Sequence, residues 1–159
     1  MSNLTFTNYE GWGQYAHDNY GYSQAVRVGD RIEVSGQGRL PIGALNIHSR
    51  LLTVCPGGWD PKTAPPVVEG SLDEQIDQAF RNIDLAMRTA GGKGLSQVYS
   101  LRSYHPRMST TPETIPTMVK HFEKYFPDQK PIWTAVGVEQ LAMPEMLIEI
   151  EAVAYDPKE

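Results

Sequence analysis

Glu149 and Glu151 stand two residues apart in a β-branched, apolar run over 146–154, so a strand there puts both carboxylates on one face with Leu147 and Val153. The alternate residues, Met146, Ile148, Ile150, Ala152 and Ala154, are all apolar and require a covered face. The carboxylates must instead meet water, a partner or a ligand. A carboxyl group in an apolar cleft has its pKa pushed upward, which suits an acid or base near neutrality. Glu149 is the candidate catalytic residue, with a solvated or ion-paired strand carboxylate as the alternative, and Glu151 reads as structural.

Other residues could complete a site. Tyr22 and Ser35 offer hydroxyls that could orient a polar ligand or satisfy backbone groups. Gly36 and Gly38 close a strand where the backbone can approach a ligand or neighbour closely. Trp133, facing away from Ile132, Thr134 and Val136, could wall a flat or apolar ligand beside Glu149, fill core volume or pack between subunits. Arg102, on the face of Val98, Ser100 and Tyr104, could bind an anion or join a surface ion pair. His105 could titrate near neutrality. His17, His48 and His121 form no metal-ligand spacing with it, so no metal is expected.

Strands are predicted over 4–8, 23–28, 30–36, 98–104, 130–139 and 146–154, the second and third around a Gly29-Asp30 turn. The last two read as a strand pair joined by a short connection. Residues 9–20, rich in glycine, aromatics and asparagine, read as a loop. Ser71 and Glu74 form a capping box, followed by Leu72, Ile76, Ala79, Phe80, Ile83 and Met87 at helical spacing and a Gly91-Gly92 stop. A second helix begins at Thr114, with Pro116 in its first turn and Ile115, Met118, Val119, Phe122 and Phe126 as its buried stripe. Residues 39–57 are apolar without a clear period and read as an insertion, either a flap or interface arm or a translated intron. The order predicts a two-layer α+β domain spanning 1–159, a sheet with two helices packed on one face. The other sheet face calls for a second subunit.

The chain has 159 residues and a net charge of −5, an acidic balance that argues against nucleic-acid binding. No segment reaches the apolar length that spans a bilayer. The single cysteine, Cys55, permits no intrachain disulfide, and the N-terminus lacks a secretory pattern, so a cytoplasmic setting is expected.

The runs 22–26, 34–37, 74–83, 122–127 and 146–154, in that order, resemble the YjgF/YER057c/UK114 family, the RidA-like reactive intermediate deaminases. The resemblance spares 39–57 and the stretch before Tyr20. It implies a chorismate-mutase-like fold, a homotrimer with clefts between subunits, and hydrolysis of imine or enamine forms of 2-amino acids without a cofactor. It also implies that Tyr22, Gly36 and Glu149 keep family site positions. The arginine that grips the substrate carboxylate corresponds to Trp133 here, and a neighbouring cysteine to Ala135. An indole has one donor and no charge, so it cannot replace a guanidinium. The expectation is therefore a divergent member: a hydrolase, deaminase or tautomerase on a metabolite other than the usual 2-imino acids. The alternative is a non-catalytic binder of small ligands.

Overall fold

A computed structural model describes residues 4–38 and 70–157. The insertion read over 39–57 lies outside them. In chain order the elements are β1 (Leu4–Thr7), α1 (Trp12–Tyr20), β2 (Ala25–Val28), β3 (Arg31–Gly38), α2 (Leu72–Thr89), β4 (Val98–Pro106), α3 (Thr114–Tyr125), β5 (Ile132–Val138) and β6 (Glu149–Tyr155). They form a six-stranded sheet in the order β1-β2-β3-β6-β4-β5, antiparallel except for the β4/β5 pair. The apolar face of β6 is buried in the middle of this sheet: Ile150, Ala152 and Ala154 pack with Ile32, Val34, Val98 and Leu101 of the neighbouring strands.

The first long helix forms as its sequence dictates. Ser71 accepts from the backbone of Glu74, whose side chain answers the Ser71 N–H at 2.7 Å. Ile76, Ala79, Phe80, Ile83 and Met87 then bury their stripe against the sheet, with Leu72 partly buried. In α3 the buried stripe is rotated from the expected one. Met118 and His121 are buried, while Ile115 and Val119 are 38% and 44% exposed. Because α3 leans on α2, His121 faces Asp73 (2.9 Å) and stacks on Phe80, and this polar partner lets an imidazole occupy a core position.

Three expectations change. Residues 9–20 contain α1, not only loop: Gly11 and Gly21, both at positive φ, flank a helix whose Trp12, Gly13 and Ala16 are buried. Weak helix formers hide this helix in the sequence, and a tertiary seat for Trp12 overrides their propensity. Second, β5 and β6 are not neighbours; β4 lies between them and pairs with both. Their long connection permits the crossover, which a tight hairpin would forbid. Third, β4 carries a register irregularity between Val98 and Ser100, so Val98 turns into the core instead of sharing a face with Arg102.

Buried Arg27 ties the sheet to its C-terminal end. It donates to the Ala90 and Asp156 carbonyls and to the Asp156 carboxylate (2.5 Å).

Candidate active site

Glu149 begins β6 opposite the end of β3, and the fit between them is set by one irregularity. Val34 pairs with Ala152 but Gln37 pairs with Ile150, so β3 bulges by one residue. Gly36 sits in that bulge. A Cβ built on it would lie 1.9 Å from Glu149 Oε1 and 2.7 Å from its Cδ, so the carboxylate occupies the space a side chain would take. The glycine signal in the sequence thus marks a close neighbour, and that neighbour is the candidate catalytic group.

Around Glu149 lies a cavity of about 210 Å³, walled by Trp12, Tyr22, Gln24, Gly36 and Met146 among others. Burial, then the charge of Glu151, raises the Glu149 pKa above the ordinary carboxylate range. Burial also raises the Tyr22 phenol and the Glu149 charge adds to this, while hydrogen bonds from Gln24 and Trp12 pull the other way. Tyr22 therefore keeps its proton at neutral pH and can donate it. Among the described residues, none lining the cavity is cationic. Ser35 borders it too, but its hydroxyl donates to the Gln24 carbonyl (3.2 Å) and accepts from Gln37, so it forms wall instead of serving as a free donor. Behind it, Tyr9, Gln24 and Gln37 form a buried polar cluster.

The other sequence candidates go elsewhere within one chain. Tyr104 pairs with Glu149, while Leu101 and Ser103, on the opposite face, pair with Trp133 and Ala135. Trp133 and Ala135 therefore stand on the helix-covered face and Glu149 on the open one. The expected Glu149–Trp133 neighbourhood is absent from the single chain. The Trp133 indole donates to Ser103 Oγ (2.8 Å) and meets Phe122 edge-on at 4.8 Å. It lines a largely apolar groove of about 540 Å³ with Val119, Phe122, Phe126, Pro127 and Pro131, to which Glu123, Gln129 and Lys130 also contribute.

His105 does not titrate near neutrality. It is fully buried, Nε2 lies 2.7 Å from Ser103 Oγ, and burial pushes its pKa down to about 4. It is a neutral core histidine. Arg102 does not line the Glu149 cavity; it lies on the open face, exposed and 3.3 Å from Glu151, its partner across the strand pair, where it shares a cavity of about 710 Å³ with Tyr22 and Ser35. Among the described residues no three His, Cys, Asp or Glu side chains gather as a metal-binding group. Sequence reasoning missed Trp12, Gln24 and Met146. Trp12 falls in a stretch that reads as loop, and Met146, expected on the core face of the last strand, is buried in the connection before β6, where it lines the cavity.

Comparison with known proteins fits this geometry. The Endoribonuclease L-PSP family model matches residues 16–156. The chain belongs to that family. A RutC family protein of Pyrococcus abyssi is 31% identical over 134 residues, covering 84% of this chain and 85% of the relative. Among solved structures, a Mycobacterium tuberculosis member of the YjgF/YER057c/UK114 family superposes with a TM-score of 0.63 at 25% identity, covering 96% of this chain and 99% of that one. The Escherichia coli YjgF gene product shares the fold at 21% identity and a TM-score of 0.61, over 84% of this chain and 87% of that one. The α+β architecture is thus the chorismate-mutase-like fold of these proteins. Among the described residues no helix is long and apolar enough to cross a membrane.

Proposed function

We propose that this L-PSP family member is a cofactor-free, cytoplasmic hydrolase, deaminase or tautomerase for a small imine or enamine lacking a carboxylate, working in a cleft shared between protomers of a homotrimer. The observation that carries the reading is Glu149: a carboxylate with a raised pKa, seated in the space left by Gly36, in a cavity where the described residues supply one phenol and no cation. Such a cavity disfavours an acid and favours a protonated imine, whose positive charge is balanced by the Glu149 carboxylate.

The chemistry needs proton transfer and, for hydrolysis, the addition of water and loss of the amine. For hydrolysis, Glu149 takes a proton from water as its oxygen adds to the C=N carbon, and nitrogen accepts the returned proton. Collapse of the adduct then yields a carbonyl compound and ammonia or an amine. For tautomerisation, Glu149 removes a proton from the carbon next to the iminium and gives an enamine. Tyr22 holds and orients the nitrogen or the leaving group in either case. No electrons change hands, so neither route calls for a redox cofactor. In the shared cleft, the aromatic groove at Trp133 of one protomer would meet the Glu149 cavity of the next. Lys130 also lines that groove, but an ammonium lacks the bidentate fork of the missing guanidinium, which leaves 2-imino acids the less favoured class.

Incubation of the native protein with 2-methyl-1-pyrroline in D₂O tests this, with deuterium uptake beside the imine followed by proton NMR. General acid–base groups contribute about 10²–10⁴-fold, so Glu149→Gln should lose at least about 100-fold. Equal exchange by the native and Gln proteins refutes the reading. A second reading, a non-catalytic binder, is favoured by the apolar Trp133 groove. It predicts no exchange and the same probe affinity in both proteins by calorimetry.

A further inference from the structure

The loop between β5 and β6 is held at two points by one buried side chain. Gln75, in the first turn of α2 and 1% exposed, donates from Nε2 to the Glu145 carbonyl (3.1 Å) and accepts at Oε1 from the Leu147 N–H (2.9 Å). These are the peptide groups on either side of Met146. A third contact, from Nε2 to the Gly70 carbonyl (3.2 Å), anchors the amide to its own helix start. The Met146 N–H donates to the Met143 carbonyl (3.1 Å), so the backbone on which Met146 stands is fixed from both directions.

Met146 itself is 2% exposed and lines the Glu149 cavity with Ala142 of the same loop. It reaches across to β3, where a Cβ on Gly38 would fall 2.5 Å from its Cε. The two glycines of β3 thus have separate tasks: Gly36 admits the carboxylate and Gly38 admits the thioether. A methionine ordinarily adapts to its surroundings through three rotatable bonds. Here a pinned backbone and a glycine seat remove much of that freedom.

We propose that Met146, positioned by the Gln75 clamp, is the specificity-determining residue of the Glu149 cavity and restricts it to ligands with a short apolar substituent. This rests on the reading of Glu149 as the proton-transfer group. The cavity that Met146 lines measures about 210 Å³, against about 540 Å³ for the Trp133 groove, so a shorter side chain at 146 would open room beside Glu149 for a longer substituent.

The test compares kcat/KM for deuterium exchange with 2-methyl-1-pyrroline and 2-propyl-1-pyrroline. Native protein should favour the methyl compound. Met146→Ala should shift the propyl-to-methyl ratio at least tenfold towards propyl, mostly through KM, since one methylene accommodated in an apolar pocket is worth about tenfold or more. Met146→Leu should stay near the native ratio, and Gln75→Ala should shift it in the same direction as Met146→Ala. Reading the ratio within each variant cancels a general loss of stability. If Met146→Ala fails to fold, Met146→Val, which leaves a smaller void, carries the same comparison. A ratio within twofold of native in the folded small-residue variant overturns the role of Met146 while leaving that of Glu149 standing. Absence of Glu149-dependent exchange in the native protein with either probe overturns both.

Discussion

Replacing Gly36 by alanine separates the position of the Glu149 carboxylate from its chemistry. The added methyl would lie 1.9 Å from Oε1, 2.7 Å from Cδ and 2.9 Å from Cγ of Glu149. Ordinary contact is about 3.5 Å, so the oxygen must retreat by roughly 1.5 Å. The clash is with the end of a flexible side chain, and Gly36 is not among the positive-φ glycines, so its backbone accepts alanine. Folding should survive: overpacking costs about 1–3 kcal/mol, and the stiffer unfolded chain returns about 0.4–1 kcal/mol. The site should not survive intact. A displacement of about 1 Å can cost about 100-fold in rate. A carboxylate driven from its seat also regains water. Carbon-13 NMR of the Glu149 carboxyl should show a raised pKa in the native protein and a fall towards about 4.3 in the alanine variant. This readout needs no substrate. An unchanged Glu149 titration in folded Gly36→Ala, with exchange activity within threefold of native, would refute the argument that the glycine makes room for the acid.

Three further outcomes follow from the packing and the proposed cleft. Ser103→Ala removes the partner of both the Trp133 indole and His105, two groups on the buried side of the sheet, and should lower stability by about 1–3 kcal/mol in denaturant titration. Gln97 and Arg27 hold the Asp156 carboxyl below its ordinary range. Its contribution is therefore complete above the unfolded value of about 3.9 and fades as pH falls through the folded one, so the native protein should lose stability there and Asp156→Asn should not show that limb. Trp133→Arg should gain hydrolysis of 2-iminopropanoate, generated in place by an amino-acid oxidase, over a native rate close to background. No gain in a folded trimer would show that the Trp133 edge does not meet the Glu149 cavity of a neighbour.

What could be read in the sequence was what local chemistry determines. The Ser71–Glu74 box and the stripe from Ile76 to Met87 act within a few residues, and the helix follows them closely. The alternation around Ile150 correctly divides β6 into a buried face and a carboxylate face. What failed depends on distant partners. No local signal reveals that Trp12 has a seat in the core, or that β4 separates β5 from β6. His105 reads as free to titrate because nothing within its own strand shows that the face it shares with Ser103 is covered and buried. The site was half legible: Tyr22, Gly36 and Glu149 converge on one cavity, whereas Trp133 and Ala135 lie on the other face and Arg102 pairs with Glu151.

The pH dependence of kcat/KM for deuterium exchange into 2-methyl-1-pyrroline, measured for the native protein and for Glu149→Gln, addresses the catalytic role of Glu149 most directly. Proton removal needs the ionised carboxylate, so native activity should rise with pH along a limb displaced above about 4.3, and Glu149→Gln should lose both the limb and at least about 100-fold in rate. An identical limb in the two proteins, or a native limb at the ordinary carboxylate value, would contradict the account.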